Sequence, residues 1–272
     1  GDGVIAKDLP QANHKKFRSQ TVTLTEPTIT KIHDIQGSSA TFNSVFGGAQ
    51  TIEGIVTRAF QGSTKLNGFY VQEEGADADA DSATSEAIFV YDSSGLFTGS
   101  VGDKVQVTGT VSEYTSSSSS LTEITATSVT NLGASTLPAV TNIQLPVANV
   151  SDLERYEGML VNVSAASGNL VVTENYQLGQ YGQIVLAATS RLVQYTHANA
   201  PSTSGYTAHL ADIAKRKIYL DDGSGAQNPD PVIHARGGNP LSASNTLRSG
   251  DTVASVTGIL DHRYEGYRIQ TT

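Results

Sequence analysis

With 272 residues, no cysteine and only 16% charged side chains, the chain can bury a sizeable core but cannot use disulfides, thiolate-bound zinc or a thiol nucleophile. Its net charge of −9 is uneven: three Lys/Arg face eleven Asp/Glu in residues 50–132, nine face eleven in 133–272, and five face four in 1–49. Phosphate-backbone binding depends on cations displacing counterions, so the middle third is disfavoured as a nucleic-acid surface and only the last part keeps enough cations for a local patch.

Plentiful Thr, Ser, Gly and Val predict many short strands and exposed turns. No apolar run approaches the roughly 20 residues of a membrane span, and no signal-peptide pattern opens the chain. Residues 1–27 have no sustained period and read as an N-terminal arm. "TITKIHDIQGSS" follows as an alternating stretch that ends in a Gly/Ser turn. The period of two then predicts five strands: "TIEGIVTRAFQ", "LNGFYVQEE", "EAIFVYD", "DKVQVTGTVSEY" and, after the serine run at 116–120, "LTEITATSV". Gly109 stands where a bulge would bend the fourth strand. Five strands with one bent member predict a small barrel over 28–132.

The Gly- and Pro-bearing stretch 133–150 reads as a linker. A second barrel over 151–272 opens with a helical turn, for which Ser151 and Glu154 have capping-box spacing. Strands follow at "GMLVNVS", "NLVVTENYQL", "YGQIVLAA", "KIYLDD", "DTVASVTGILDH" and "GYRIQ", with an insertion in which "YTAHLADIAKRK" has helical spacing and a cationic last turn. An internal echo ties the two halves. Gly102, Asp103, Thr108 and Gly109 in one are matched by Gly250, Asp251, Thr257 and Gly258 in the other, with one extra residue that an added bulge would absorb. The fold class expected is all-β, two tandem OB-like small β-barrels with a short helical insertion in the second.

The blocks "KIHDIQGSS", "GIVTRAFQ", "LNGFYVQEE", "ATSEAIFVYD", "VGDKVQVTGTVSEY", "LERYEGMLV", "LGQYGQIVLA", "YLDDGSGAQNPDP" and "GDTVASVTGILDHRYEGYRIQ" occur in order over about residues 28–272. They closely resemble the OB-fold-like region ahead of the catalytic domain in large bacterial extracellular nucleases of the endonuclease/exonuclease/phosphatase family. The resemblance implies a secreted bacterial, extracellular protein and a non-catalytic accessory region for a metal-dependent nuclease domain. That domain would need a Glu, an Asp/Asn pair and a Ser-Asp-His on an activated water, and the Ser-Asp-His tripeptide does not occur here.

Several constellations bear on chemistry. Asp77, Asp79 and Asp81 alternate in an acidic loop, near Glu73, Glu74 and Glu86, as in a calcium loop; Ser82 and Ile88 then stand where an EF-hand needs Gly and Glu. A solvated acidic hairpin is the plainer reading, and calcium is the one cofactor the pattern implies. Asp221, Asp222 and Asp230 sit in a turn-rich segment of Asx type. Lys215, Arg216 and Lys217, with Arg263, Tyr264, Tyr267 and Arg268, interleave cations and aromatic rings as single-strand binders do, so weak contact with nucleic acid, DNA foremost, is expected. The six histidines show no metal spacing, and His33 reads as a structural hydrogen-bonding group. The rival to a nucleic-acid tether is a rigid spacer that packs on the nuclease domain and touches no DNA.

Overall fold

A computed structural model describes residues 26–271; most of the expected N-terminal arm, residues 1–25, lies outside the described residues. The first sheet comprises β1 (Gly48–Phe60), β2 (Gly68–Gln72), β3 (Ala87–Tyr91), β4 (Asp103–Ser116) and β5 (Ser119–Ala134), closed in the order β1-β2-β3-β5-β4. β1 is long enough to pair with β4 through its first half and with β2 through its second, Ile55 meeting both Lys104 and Gln72. β3 runs parallel to β5. This is the OB order. Ahead of β1 the structure corrects the expected alternating stretch: it is a helical turn, α1 (Ile32–Gln36). Ile32 and Ile35, three apart, share one helical face and enter the barrel core beside Ile52, Val71 and Val107.

The second sheet adds β6 (Thr141–Leu145), β7 (Leu160–Ala165), β8 (Leu170–Glu174), β9 (Ile184–Ala187), β10 (Lys217–Asp221), β11 (Thr252–Val253), β12 (Ser255–Arg263) and β13 (Gly266–Gln270), in the order β11-β8-β9-β10-β13-β12-β7-β6. Its pairing repeats the first barrel once two breaks are recognised. β7 and β8 are halves of one strand, separated at 166–169, and β11 and β12 are halves of another, separated at Ala254. Val171 meets both Thr252 and Ala187, as Ile55 meets both of its partners. β10 runs parallel to β13, the counterpart of β3 on β5.

The sequence echo has a backbone cause. The Gly102 amide donates to the Val56 carbonyl and the Gly250 amide to the Val172 carbonyl, each at 2.8 Å. Both glycines have positive φ, 94° and 100°, which few L side chains adopt. Asp103 Oδ2 accepts from the Ser100 amide and Asp251 Oδ2 from the Arg248 amide, each at 2.9 Å. Any Cβ at Gly109 would strike the Thr125 carbonyl oxygen, and at Gly258 the Gln270 carbonyl oxygen. The extra residue of the second copy is taken up where the strand breaks at Ala254.

Other expectations need correction. The 133–150 linker is interrupted by β6, which pairs in parallel with β7 and buries Ile143 and Leu145. The helical turn ahead of β7 (Val150–Tyr156) starts after Asn149, whose amide donates to the Asp152 carboxylate at 2.9 Å, so Ser151 and Glu154 form no capping box. "NLVVTENYQL" leaves the sheet after Glu174 and ends in a helical turn, α2 (Leu178–Tyr181). The insertion helix, α3 (Thr203–Arg216), begins earlier than Tyr206, with Ser202 Oγ accepting from the Gly205 amide. No helix among the described residues is long and apolar enough to cross a membrane.

The barrels share an apolar seam. Phe60, Leu66, Tyr70, Phe89 and Leu121 of the first pack with Leu160 and Ile259 of the second. At roughly 1.5–3 kcal/mol for each fully buried large apolar side chain, this contact is a core in its own right. Polar links reinforce it: Leu160 amide to Gln72 Oε1 at 2.9 Å, Ser85 Oγ to the Glu157 carbonyl at 2.6 Å, and Thr122 amide to Glu157 Oε1 at 2.9 Å.

Candidate nucleic-acid interface and acidic clusters

The expected cationic track begins at the end of α3. Arg216 folds back on the chain, donating to the Ala188 carbonyl (3.1 Å) and Ser190 Oγ (3.1 Å) and pairing with Asp212. It ties the helix end to the strand it came from. Lys217 opens β10 and lies 5.1 Å over the Tyr219 ring. Lys215 and Lys217 are both half-buried.

Arg263, Tyr264 and Arg268 do come together, on the β12–β13 hairpin, but they face inward. Arg263 is 5% exposed and Arg268 only 1%. Arg263 binds both carboxylate oxygens of Asp261 and places its guanidinium 4.4 Å over the Phe89 ring of the first barrel. Burial works against its charge; Asp261 and the neighbouring Tyr70 more than offset this and hold its pKa above the ordinary guanidinium value. Arg268 donates to Asp221 (2.7 Å), Gln183 (2.7 Å), Glu265 (2.9 Å) and the Arg263 carbonyl (2.9 Å), and lies 4.7 Å from the Tyr264 ring. Burial opposes its charge as well, and Asp221 restores it. A guanidinium buried under protein cover and paired with a carboxylate is not offered to a phosphate in solvent. The expectation of Arg263 and Arg268 as strand-binding cations is therefore corrected: both are buried and ion-paired, Arg263 at the seam over Phe89 and Arg268 within the second barrel.

Tyr264 is at the hairpin tip with a positive φ of 56°. Its amide donates to Ser116 Oγ (2.9 Å) and its carbonyl accepts from Ser119 Oγ (3.0 Å). The serine run thus forms the β4–β5 turn, and the equivalent hairpins of the two barrels touch tip to tip. Tyr267 stacks on His262 at 3.8 Å and donates to Glu154 Oε2 at 2.6 Å.

Asp77, Asp79 and Asp81 do not converge. Asp77 pairs with Lys31 (2.5 Å), Asp79 accepts from the Asp81 amide (2.8 Å), and Asp81 accepts from the Ala83 amide (2.9 Å). Alternating positions in this irregular loop do not share a face, so the three-Asp calcium loop is corrected to a set of Asx turns. What converges instead is Asp79 with His33 and Glu86. His33 Nδ1 lies 2.8 Å from Glu73 Oε2 and 3.3 Å from Glu86 Oε2, and Glu73 also accepts from the Ile32 amide. Burial, then the hydrogen bond and charge of Glu73, push the Glu86 carboxyl up to about 8. Burial opposes protonation of His33, and the Glu73 hydrogen bond and charge outweigh it. The cluster pins α1 to the β2–β3 loop. Its carboxylates lay within the acidic stretch of the sequence; His33, 40 residues from Glu73, could not be attached to them by spacing.

Asp222 keeps the expected turn role, accepting from the Ser224 amide at 2.8 Å, whereas Asp221 is the partner of Arg268. A cavity of about 600 Å³ in the second barrel is lined chiefly by apolar side chains, among them Val172, Leu186, Leu220, Leu247 and Val253. At its edge His234 is engaged by the Gly182 carbonyl and Thr271 Oγ1, and Arg236 by Asp251.

Neither a protein-family profile nor a curated protein matches this chain. Among solved structures it is similar to an aspartyl tRNA synthetase from Entamoeba histolytica, at 16% identity and a TM-score of 0.27, over 50% of this chain and 27% of that one. So slight a likeness decides nothing about function. By strand order and pairing, the chain is an all-β protein of two tandem OB-like barrels with a short helical insertion in the second.

Proposed function

We propose that this chain is a rigid, non-catalytic accessory module of a secreted bacterial nuclease, a spacer that packs on the catalytic domain and does not track a nucleic-acid strand. One observation carries the spacer reading. Arg263 and Arg268, the cations best placed by sequence to follow phosphates, are buried and spent on Asp261, and on Asp221 and Glu265, respectively. The link to a nuclease rests on the ordered sequence blocks between residues 28 and 272. Without the buried pair, the half-buried Lys215 and Lys217 stand against a chain of net charge −9. Long-range repulsion of a polyanion follows.

Fluorescence anisotropy of a labelled single strand, titrated with the chain at about 50 mM and about 200 mM salt, tests the reading. The spacer reading expects no saturable binding at either salt. Saturable binding that weakens with salt and drops in Lys215→Ala/Lys217→Ala would replace it with the tether. Turnover of plasmid DNA by this chain with magnesium or calcium would overturn the non-catalytic assignment.

A further inference from the structure

The seam holds a second convergence of ligand-type side chains, and nothing derived so far uses it. Glu154 and Glu157 come from the helical turn before β7 and its following residue, and His262 comes from β12. One ligand atom from each lies within 4.8 Å of the others, with His262 Nδ1 3.7 Å from Glu154 Oε2. A cation held at about 2.1 Å by imidazole nitrogen and carboxylate oxygen sets neighbouring ligand atoms roughly 3–3.5 Å apart, so modest side-chain rotation closes the set.

The polar bookkeeping here is incomplete in a telling way. Glu157 is 1% exposed, and its Oε1 accepts from the Thr122 amide, but its Oε2 has no hydrogen-bond partner among the described residues. His262 Nδ1 is likewise buried without one. Glu113 of β4 lies alongside, its Oε2 sharing Thr122 with Glu157, and its Oε1 is a third buried atom without a partner. Three neighbouring carboxyls with no Lys or Arg paired to them among the described residues must be neutralised, by protons or by a bound cation.

We propose that Glu154, Glu157 and His262, all from the second barrel, bind one first-row divalent cation of the zinc class beside the seam, where Glu157 also accepts from the Thr122 amide of the first barrel. The nitrogen-plus-carboxylate donor set suits such an ion better than calcium, which takes six or more oxygens. Tyr267 supplies support around the ligands: its hydroxyl orients Glu154 and its ring, stacked at 3.8 Å, fixes the imidazole plane. A cleft of about 300 Å³ bordered by Ser38, Ser151, Glu154 and Tyr267 reaches the Glu154 side of the cluster.

The test uses the whole chain, stripped with chelator and titrated with Zn2+ by calorimetry, with bound metal counted by mass spectrometry. One equivalent per chain is expected, with a melting temperature roughly 5–10 °C higher at a hundredfold excess over Kd. Cobalt in place of zinc should give visible d–d bands. Glu157→Gln and His262→Ala should each abolish binding, while His33→Ala, which disrupts the other cluster, should leave it intact. No stoichiometric uptake by the wild-type chain overturns the proposal. So does uptake lost in His33→Ala but kept in His262→Ala, or a seam stabilised by lowering pH and indifferent to zinc, which would mean that protons occupy it. The wild-type measurement decides even if a variant fails to fold.

Discussion

In the first barrel the opening strand runs unbroken from Gly48 to Phe60; in the second, the same path is cut between Ala165 and Leu170, and the fourth strand is cut at Ala254. The two copies nevertheless keep the same amide-to-carbonyl bond from Gly102 or Gly250, the same Asp-capped turn and the same side-chain-free crossing at Gly109 or Gly258. The comparison separates what closes such a barrel from what merely lengthens it. Turns and close crossings are retained; strand continuity is negotiable. The polar residues differ more. The first barrel gathers carboxylates around His33 at its β2–β3 loop, whereas the second buries Arg263 against Phe89 of the first and Arg268 within itself.

The largest expected effect tests the buried arginine. Arg268→Met strands the buried Asp221 inside the second barrel and should lower unfolding stability by about 3–5 kcal/mol in denaturant titration. Adding Asp221→Leu should recover much of that loss; a double variant no better than the single would mean that Arg268 acts through packing alone. Next come the crossings. Gly109→Ala and Gly258→Ala should each cost about 1–3 kcal/mol, because a carbonyl must move to admit the new methyl group. Unequal losses would break the equivalence of the copies.

A third prediction concerns the His33 cluster of the first barrel. The Glu86 carboxyl is raised from 4.5 to about 8, so the folded chain binds this proton more tightly than the unfolded one. The resulting stabilisation is complete below the unfolded value and disappears as pH climbs through about 8. Thermal melts should therefore show lower stability at about pH 9 than at about pH 6, by on the order of 2 kcal/mol, and Glu86→Gln should flatten the difference. The smallest effect is expected outside the seam and the His33 cluster: Lys215→Ala and Lys217→Ala should each change stability by less than about 0.5 kcal/mol.

Most strands were legible in the sequence because alternation reports a half-buried surface directly, and the GD and TG echoes were legible because they mark backbone constraints. β6 was missed because only Ile143 and Leu145 signal it amid turn-forming neighbours. α1 was read as extended because a helix of five residues shows little period. The inward turn of Arg263 and Arg268 was beyond reach for a different reason. Alternation tells which residues share a face, but not that this face meets another barrel. The convergence of Glu154, Glu157 and His262 escaped for the same reason, since those residues meet only once β12 lies against the turn ahead of β7.

The excursion that carries α3 leaves the sheet after Ala187 and returns at Lys217, and those two residues are direct cross-strand partners. The detour therefore begins and ends at one spot and contributes no rung to the barrel. Such a loop is a natural graft point: a tight hairpin, an affinity tag or a foreign domain could be exchanged for it while the surrounding ladder keeps its register.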